Sequence, residues 1–424
     1  MKYKAPKGTR DFLPEEKILR NKIVSTLKNV FEKYGFNPIE TPALEMYNTC
    51  TAKFSAGEGT DVLEELFTLK DRADRIMGLR YELTFPFARV IANNPQIPKP
   101  FKKYQIGRVW RNGPVKLGRY REFWQADVDV IGSENIYLDA EILALAQEVF
   151  QKLNLKTKIK INNINLLNEI LEFYEIPEKL KTQVIISIDK LEKLGKQKII
   201  KELTKKKLQK DKAEKILELL EINDLKIIES KIGKNKGIDE LKELFSALKK
   251  FDVKNYEFCS NLARGLIYYT GTIFEVYLEN SEITSSIAAG GRWDNMISKF
   301  AGTKEKIPAV GISFGIDVMM DAIKIETEKF DKSIAEVFVI PIKEINESIK
   351  IVNKLRKSGI KSDIDLTETS ISKNLEYANS LGISKVIIVG PKDLEKNKVT
   401  LKNMKTGKEK KIELNKIISE LKKE

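Results

Sequence analysis

The chain has 424 residues, and 75 Lys and Arg outnumber 61 Asp and Glu to give a formal net charge of +14. Its 42% hydrophobic content is enough for packed cores in two or three domains and argues against disorder. Two cysteines exclude a disulfide scaffold, and no apolar run approaches the roughly 20 residues of a membrane span. Since the chain start also lacks an apolar secretory segment, we expect a cytoplasmic protein.

The sequence contains no histidine. This excludes a Ser-His or Cys-His nucleophile pair, a His-ligated zinc ion and an imidazole general base. Any catalysis must rest on Arg, Lys, carboxylates, Tyr, backbone amides or a bound ion. The positive charge favours a polyanionic partner, although a lysine-rich composition also occurs without one.

The first part of the chain mixes helices and strands. Pro14 begins a predicted helix with an apolar stripe, and Gly35 ends it. Residues 101–111 and 121–131 are aromatic-rich and β-prone, and the loop between them is rich in turn residues. These two segments predict a hairpin with a cationic tip. A helix over 138–153 and a strand over 157–161 are predicted next.

The composition then shifts to a long helical stretch. Residues 185–250 are dense in Lys, Glu, Leu and Ile, without β-like alternation, and predict a helical insertion. Strand texture returns near residue 256, followed by a predicted glycine turn at 289–293 and a strand feeding a helix near 309–317. We therefore expect an antiparallel α+β domain over 1–325, interrupted by a helical insertion at 170–252.

The last part of the chain predicts a separate α/β domain over 331–424. Residues 332–424 hold 20 Lys and Arg against 13 Asp and Glu, a difference of seven that is half of the whole excess. Strands and helices alternate at a short pitch, as in small α/β domains. The predicted elements are strands at 337–340, 360–364 and 385–389 and helices at 347–357 and 371–381.

Candidate binding residues concentrate in two segments. A basic cluster surrounds the hairpin loop, and guanidinium groups suit phosphate oxygens because their planar fork engages two of them. A solvated hairpin paired with acids explains it equally well. The Arg264-Gly-Leu-Ile-Tyr-Tyr-Thr-Gly segment could line a pocket, but an ordinary strand is the simpler interpretation. The cluster consists of Arg108, Arg111, Lys116, Arg119 and Arg121.

Five segments together resemble histidyl-tRNA synthetase, in that family's order and across essentially the whole chain. The Arg-Gly-Leu…Tyr-Tyr-Thr-Gly signature is the most specific of them. The segments are KGTRDFLP from Lys7, LRYELTFPFAR from Leu79, GRYREFWQADVD from Gly118, ARGLIYYTG from Ala263 and AGGRWD from Ala289.

The resemblance implies a class II catalytic domain with an antiparallel sheet, a helical insertion and a C-terminal α/β anticodon-binding domain. It implies activation of L-histidine with ATP to histidyl-adenylate, release of pyrophosphate, and transfer to the 3′ end of tRNA(His). Mg²⁺ is expected with ATP, although no protein ligand for it is evident. A homodimer is also implied, with 34–42 similar to the family's dimer-interface motif.

The resemblance assigns roles to individual residues. Arg111 and Arg119 match contacts to the ATP phosphates, and Arg264 matches the arginine that stabilises charge on the α-phosphate. The residues that match the histidine-binding site are Glu82, Thr84 and Gln125 around the ammonium group, Asp129 and Tyr269 at the imidazole, and Tyr268 and Arg264 beside them.

Several positions depart from the family pattern. Val318 replaces the arginine at the end of the third class II motif, and Asn112 and Gly113 stand where an acidic residue is usual. Ile267 occupies a position that is often Asp, and Trp293 one that is usually Tyr, so a hydroxyl contact there is lost. These departures bear on how ATP is held more than on the reaction.

Two alternatives stay open at this point. One is a non-catalytic paralogue that regulates histidine biosynthesis, although such paralogues typically lack the anticodon domain and the arginine signature. The other is a sister class II synthetase for glycine, proline or threonine.

Overall fold

The computed structural model describes residues 3–52, 63–116, 118–264, 268–327 and 330–422. The chain forms two compact units, Met1–Arg10 with Ile23–Glu326, and Asp11–Lys22 with Thr327–Glu424. The domain boundaries expected from the sequence stay predictions. Within the described ranges, no helix combines the length and apolarity that a bilayer crossing requires.

The strands of the two units are numbered along the chain. They are β1 Asn37–Pro38, β2 Leu44–Met46, β3 Thr68–Lys70, β4 Ile76–Leu79, β5 Phe101–Trp110, β6 Glu122–Ile131, β7 Thr157–Asn163, β8 Tyr256–Phe258, β9 Thr272–Leu278, β10 Ala288–Arg292, β11 Ala309–Gly315, β12 Val337–Pro341, β13 Ser362–Ile364, β14 Lys385–Val389, β15 Lys398–Asn403 and β16 Glu409–Glu413.

The helices are numbered in the same way. They are α1 Pro14–Lys33, α2 Tyr47–Thr51, α3 Thr84–Asn93, α4 Tyr137–Lys152, α5 Ile164–Phe173, α6 Glu178–Ile188, α7 Leu191–Leu194, α8 Lys196–Lys205, α9 Lys210–Leu219, α10 Leu225–Ile232, α11 Lys236–Lys250, α12 Met296–Ala301, α13 Ile316–Glu326, α14 Ile345–Lys357, α15 Ile371–Ser380, α16 Pro391–Leu394 and α17 Ile417–Lys422.

The first helix follows the signals in its sequence. Pro14 occupies its first position, where the missing N–H costs nothing, and acidic residues fill its first turn. Ile23, Leu27 and Val30 are fully buried, at the spacing of one helix face. Gly35 follows with φ +80°, a conformation that suits glycine. The predicted helix is therefore confirmed.

An eight-stranded sheet forms the centre of the first unit. Its strand order is β1-β5-β6-β11-β10-β9-β7-β8, and all neighbours are antiparallel except the two edge pairs β1–β5 and β7–β8. Strands β5 and β6 form the predicted hairpin, with ten residue pairs in register. The expected antiparallel α+β fold is confirmed.

Helices α5 to α11 follow one another between β7 and β8. Because β7 and β8 run parallel, a crossover must connect them, and this helical segment supplies it. Apolar side chains at helical spacing are buried along α11, including Ile238, Leu241, Leu244 and Leu248. The predicted helical character of 185–250 is therefore confirmed.

The second unit contains a five-stranded sheet in the order β13-β12-β14-β15-β16. Its centre is parallel, and β15 and β16 add an antiparallel edge that the sequence analysis missed. Val339 and Ile340 of β12 are fully buried on opposite faces of this strand. A strand covered on both faces reads as a continuous apolar run, which is why 337–340 was predictable.

The predicted glycine turn at 289–293 is wrong. Residues 288–292 form β10 in the middle of the large sheet, paired with β9 and β11. A Cβ on Gly290 would come within 2.1 Å of the carbonyl oxygen of Gly311, so the strand needs glycine for close approach of its neighbours. Glycine pairs mark turns more often, and the sequence does not distinguish the two cases.

Candidate functional site

Two adjoining cavities lie against the large sheet of the first unit. The larger cavity has a volume of about 390 Å³ and the smaller cavity about 60 Å³. Polar side chains from β6, β11 and the segment before β9 enter both. The residues that line both cavities are Arg111, Gln125, Arg264, Ala289 and Ser313.

The alternation of β6 places three polar residues on the same face of the sheet. Gln125, Asp127 and Asp129 occupy alternate positions of the strand, and all three line the smaller cavity. On β11, Gly311 lies opposite Asp129. A Cβ on Gly311 would be 1.8 Å from Oδ1 of Asp129, so only glycine leaves room for this carboxylate.

Two other segments also line the smaller cavity. The first contributes Glu82, which is buried, and Thr84, the first residue of α3. The second contributes Tyr268 and Tyr269, whose ring centroids are 4.6 Å apart. Burial and the neighbouring phenol raise the pKa of Tyr268 well above its ordinary value, which keeps its hydroxyl protonated.

Gln125 carries a buried hydrogen-bond acceptor in this region. Oε1 of Gln125 is buried and has no hydrogen-bond partner among the residues that the structure describes. A buried acceptor without a donor costs free energy, on the order of 1–3 kcal/mol in proteins. Because Gln125 lines both cavities, a bound donor such as an ammonium group would satisfy this oxygen.

The buried carboxylates beside Gln125 have perturbed acidities. Burial raises the pKa of Asp127 to about 7, although Lys103 favours its charged form. Asp127 also accepts a hydrogen bond of 2.5 Å from Oγ of Ser313. Burial raises the pKa of Asp129, while Lys103 and a hydrogen bond with Trp293 oppose this rise.

The hairpin loop supplies the cations of the larger cavity. Arg111, Lys116 and Arg119 line it, while Arg108 is largely exposed and pairs with Glu122 at 3.7 Å. Nε of Arg111 donates to the carbonyl oxygen of Tyr81 at 2.9 Å, and its guanidinium lies 5.3 Å from the ring centroid of Phe123.

Arg119 and Arg121 are held by different partners. Arg119 forms an ion pair of 2.9 Å with Glu65, so its guanidinium is already neutralised in this state. Nε of Arg121 donates to the carbonyl oxygen of Gly113 at 3.2 Å, within the hairpin loop itself. The basic cluster therefore divides between residues that line the cavity and residues that support the loop.

Arg264 lies where the two cavities meet. It forms an ion pair with Glu275 of β9, and its guanidinium lies 5.7 Å from the ring centroid of Tyr269. Burial opposes its charge, but Tyr269 and Glu275 outweigh burial and raise the pKa of Arg264. The side chain therefore carries a fixed positive charge at the junction.

Four of the departing positions lie in the described residues, and the backbone N–H of Asn112 donates to the carbonyl oxygen of Glu65 at 2.7 Å. Gly113 and Val318 line the larger cavity, and Val318 contributes no charge there. Trp293 is buried at the smaller cavity, where its side chain forms a hydrogen bond with Asp129. Ile267 lies outside the described residues.

The sequence analysis missed Lys103, Asp127 and Ser313. Asp127 was within reach, because it lies between Gln125 and Asp129 on an alternating strand. Lys103 and Ser313 meet these acids only through the register of β5 and β11 with β6, which no local signal reveals. Within the described ranges, no three acidic or sulfur side chains are grouped as metal ligands.

The chain is similar to known proteins along nearly its whole length. A family model described as histidyl-tRNA synthetase matches residues 8–319, and one described as an anticodon binding domain matches residues 336–424. The chain is 42% identical to histidine–tRNA ligase 1 of Bacillus cereus, over 97% of this chain and 98% of that protein.

Solved structures are similar over comparable lengths. The crystal structure of histidyl-tRNA synthetase from Nostoc sp. PCC 7120 matches with a TM-score of 0.87 and 28% identity, covering 100% of this chain and 99% of that one. A structure from Bacillus halodurans, described as an ATP phosphoribosyltransferase regulatory subunit/histidyl-tRNA synthetase, matches with a TM-score of 0.74 and 22% identity, covering 90% and 97%. The second likeness concerns the fold alone.

Proposed function

Because the chain belongs to the histidyl-tRNA synthetase family, which joins histidine to tRNA with ATP, we propose that its two adjoining cavities bind the two small substrates of this reaction. The larger cavity receives ATP and the smaller cavity receives histidine. The observation that carries this proposal is their shared wall, where Arg111 and Arg264 reach both cavities.

In the larger cavity, Arg111 and Arg119 bind the phosphates of ATP. Their guanidinium groups stay charged and can each engage two phosphate oxygens. Arg119 must exchange its carboxylate partner Glu65 for a phosphate of ATP. Its positive charge is then balanced by the phosphate instead of the carboxylate. Mg²⁺ enters with ATP as part of the substrate, since Asp317, an acid that lines the larger cavity, is already engaged by Arg10 at 2.9 Å.

In the smaller cavity, acceptors surround the substrate's ammonium group. Glu82, Thr84 and Gln125 provide these acceptors, and the buried Oε1 of Gln125 gains a donor on binding. Asp129 and Tyr269 face the imidazole ring. Tyr268 closes the wall beside Tyr269. A site built from buried polar groups rejects isosteres that leave those groups unpaired.

The activation step needs positioning and charge stabilisation rather than a protein nucleophile. The carboxylate of histidine attacks the α-phosphorus, an O–P bond forms, and pyrophosphate leaves with the electrons of the broken P–O bond. Arg264 and Arg111 stand at the shared wall, where negative charge develops on the α-phosphate. A chain without histidine residues can carry out this chemistry.

The second unit and a second copy of the chain complete the proposal. The family model over 336–424 supports tRNA binding by the second unit. A homodimer is supported by apolar side chains left exposed on one face of the small sheet β2-β4-β3, which are Leu44, Met46 and Leu69. Exposed apolar residues on neighbouring strands are typical of an association surface. We place the enzyme in the cytoplasm, where charged tRNA is used.

ATP–pyrophosphate exchange with a panel of amino acids tests the proposal. Exchange that depends on histidine alone supports it. Exchange with glycine, proline or threonine would indicate a sister synthetase, and no exchange with any amino acid would indicate a regulatory paralogue. Light scattering of the purified protein tests the homodimer separately.

A further inference from the structure

Lys103 is a buried cation that the proposed reaction leaves unexplained. It is fully buried on β5, one strand away from the centre of the smaller cavity. Its Nζ lies 2.5 Å from Oδ2 of Asp129, its register partner on β6. The ammonium also lies 4.6 Å from the ring centroid of Phe87. A buried ammonium is costly to desolvate, and a lysine is almost never fully buried unless it is paired.

The smaller cavity has an unusual concentration of carboxyl groups. Glu82, Asp127 and Asp129 all line it, and all three are buried. Lys103 does not line the cavity but lies behind Asp129 and favours the charged form of both aspartates. Buried carboxyl groups otherwise take up protons, because desolvation penalises the charged form.

We propose that Lys103 is a positioning residue that holds Asp129 ionised and aimed at the substrate's imidazole ring, so that the site selects a ring with an N–H donor. An ionised carboxylate only accepts hydrogen bonds, whereas a protonated one donates its own proton. As long as Lys103 balances its charge, Asp129 can therefore bind the ligand only through a hydrogen-bond donor on the ligand. The inference rests on the proposed function of the smaller cavity as the histidine site.

The lysine next to it provides a matched control. Lys102 precedes Lys103 on β5, so its side chain points to the other face of the sheet. It forms an ion pair of 2.7 Å with Glu141 of α4 and is partly exposed. The substitution K102M thus removes the same charge from the same strand without touching the smaller cavity.

The experiment measures pyrophosphate exchange for the full chain, with KM for histidine and for ATP determined separately. For K103M we expect KM for histidine to rise at least about tenfold, since a charge-assisted hydrogen bond contributes some 1.5–3 kcal/mol. KM for ATP should stay within about twofold. K102M should leave both constants unchanged. Equal changes of both constants in K103M would overturn the inference and leave a structural role.

A double substitution separates a direct role from folding. If Lys103 acts through Asp129, K103M/D129N should have the same KM for histidine as D129N alone. This variant removes both charges together, so it remains informative if K103M does not fold. A further rise in KM for histidine over D129N would contradict the inference.

The two proposals fail differently. If D129N leaves KM for histidine unchanged, the smaller cavity is not the imidazole site and the proposed function fails. If D129N raises KM for histidine while K103M behaves like K102M, the proposed function survives and the inference about Lys103 fails. Discrimination against β-(2-thienyl)alanine, whose ring has no N–H, should fall in K103M and stay at the wild-type level in K102M.

Discussion

Arg264 links the two cavities through a single guanidinium group. Its ion pair with Glu275 and its position beside Tyr269 fix it before any substrate arrives. For Arg264→Ala we expect kcat for pyrophosphate exchange to fall by roughly 100-fold or more, because a preorganised group that stabilises developing charge is lost. Histidine binding, measured by calorimetry, should persist, since the substitution leaves the acceptors Glu82, Thr84 and Gln125 of the smaller cavity unchanged.

Arg108→Ala is the matched control for that prediction. Arg108 belongs to the same basic cluster but does not line either cavity, and its side chain is 53% exposed. The rate of pyrophosphate exchange by Arg108→Ala should stay near that of the wild type. A loss of histidine binding in Arg264→Ala that matches the loss of rate would contradict a role limited to the transition state.

Asp127 predicts a pH dependence of folding stability. Its pKa is about 7 in the folded protein, against an ordinary value of 3.8. The folded state therefore keeps a proton that the unfolded chain releases, and the wild type loses stability as pH rises from about 4 to about 7. Asp127→Asn has no such proton and keeps an acceptor for Ser313.

The free energy of unfolding of Asp127→Asn, relative to the wild type, should consequently rise across this pH window. The difference in pKa corresponds to on the order of 4 kcal/mol, an upper bound for the change. Urea denaturation at several pH values measures it. A difference between the two proteins that is independent of pH would show that Asp127 is ionised throughout in the folded state.

At the residue scale, the family resemblance assigned two side chains of one strand, and no signal in the sequence indicated those that neighbouring strands bring to them. Gln125 and Asp129 were assigned through the family resemblance, and the structure brings both to the smaller cavity. Lys103 is separated from Asp129 by the whole hairpin, and only the register of β5 with β6 joins them. An ion pair of this kind has no local sequence pattern.

At the scale of elements, β11 leaves space for the carboxylate of Asp129 because Gly311 has no side chain. A Cβ on Gly311 would lie 1.8 Å from Asp129, a distance that forces the carboxylate or the strand to move. We expect Gly311→Ala to raise KM for histidine by about tenfold or more, while KM for ATP changes less, because only the smaller cavity contains Asp129.

Gly390→Ala provides the control for Gly311→Ala. Its Cβ would meet only the side chain of Ile342, at 3.7 Å, which is an ordinary contact. Both kinetic constants should match those of the wild type. If Gly311→Ala leaves KM for histidine unchanged, the approach of β11 to Asp129 has no part in substrate binding.

Elements with strong periodicity were predictable, and those defined by their neighbours were not. The apolar stripe of α1 reports directly on burial, and the aromatic and β-branched residues of β6 favour a strand. The prediction for β10 was wrong because its glycines allow three strands to pack closely. The same glycines favour a turn when only the sequence is considered. Strands β15 and β16 were missed because each has a single buried side chain, Val399 in β15 and Ile412 in β16, and one apolar position gives no pattern.

At the scale of the whole molecule, charge divides between the two units, and we expect the reaction steps to divide in the same way. The cavities belong to the first unit, whereas residues 332–424 carry half of the excess positive charge. Under the proposed function, adenylate formation requires only the cavities. Transfer to tRNA would also require a surface that neutralises phosphates over a long distance, which we assign to the basic residues 332–424.

A chain that ends at residue 330 should therefore separate the two steps. We expect histidine-dependent pyrophosphate exchange to stay within about tenfold of the wild type and tRNA charging to fall by roughly 100-fold or more, since released counterions supply much of the affinity for tRNA. For the full chain, the logarithm of the tRNA binding constant should fall linearly with the logarithm of salt concentration, and the shortened chain should show a smaller slope. Because Asp11–Lys22 belongs to the second unit, circular dichroism must first establish that the shortened chain folds. Equal losses in exchange and charging, by a folded protein with an unchanged salt slope, would contradict this division.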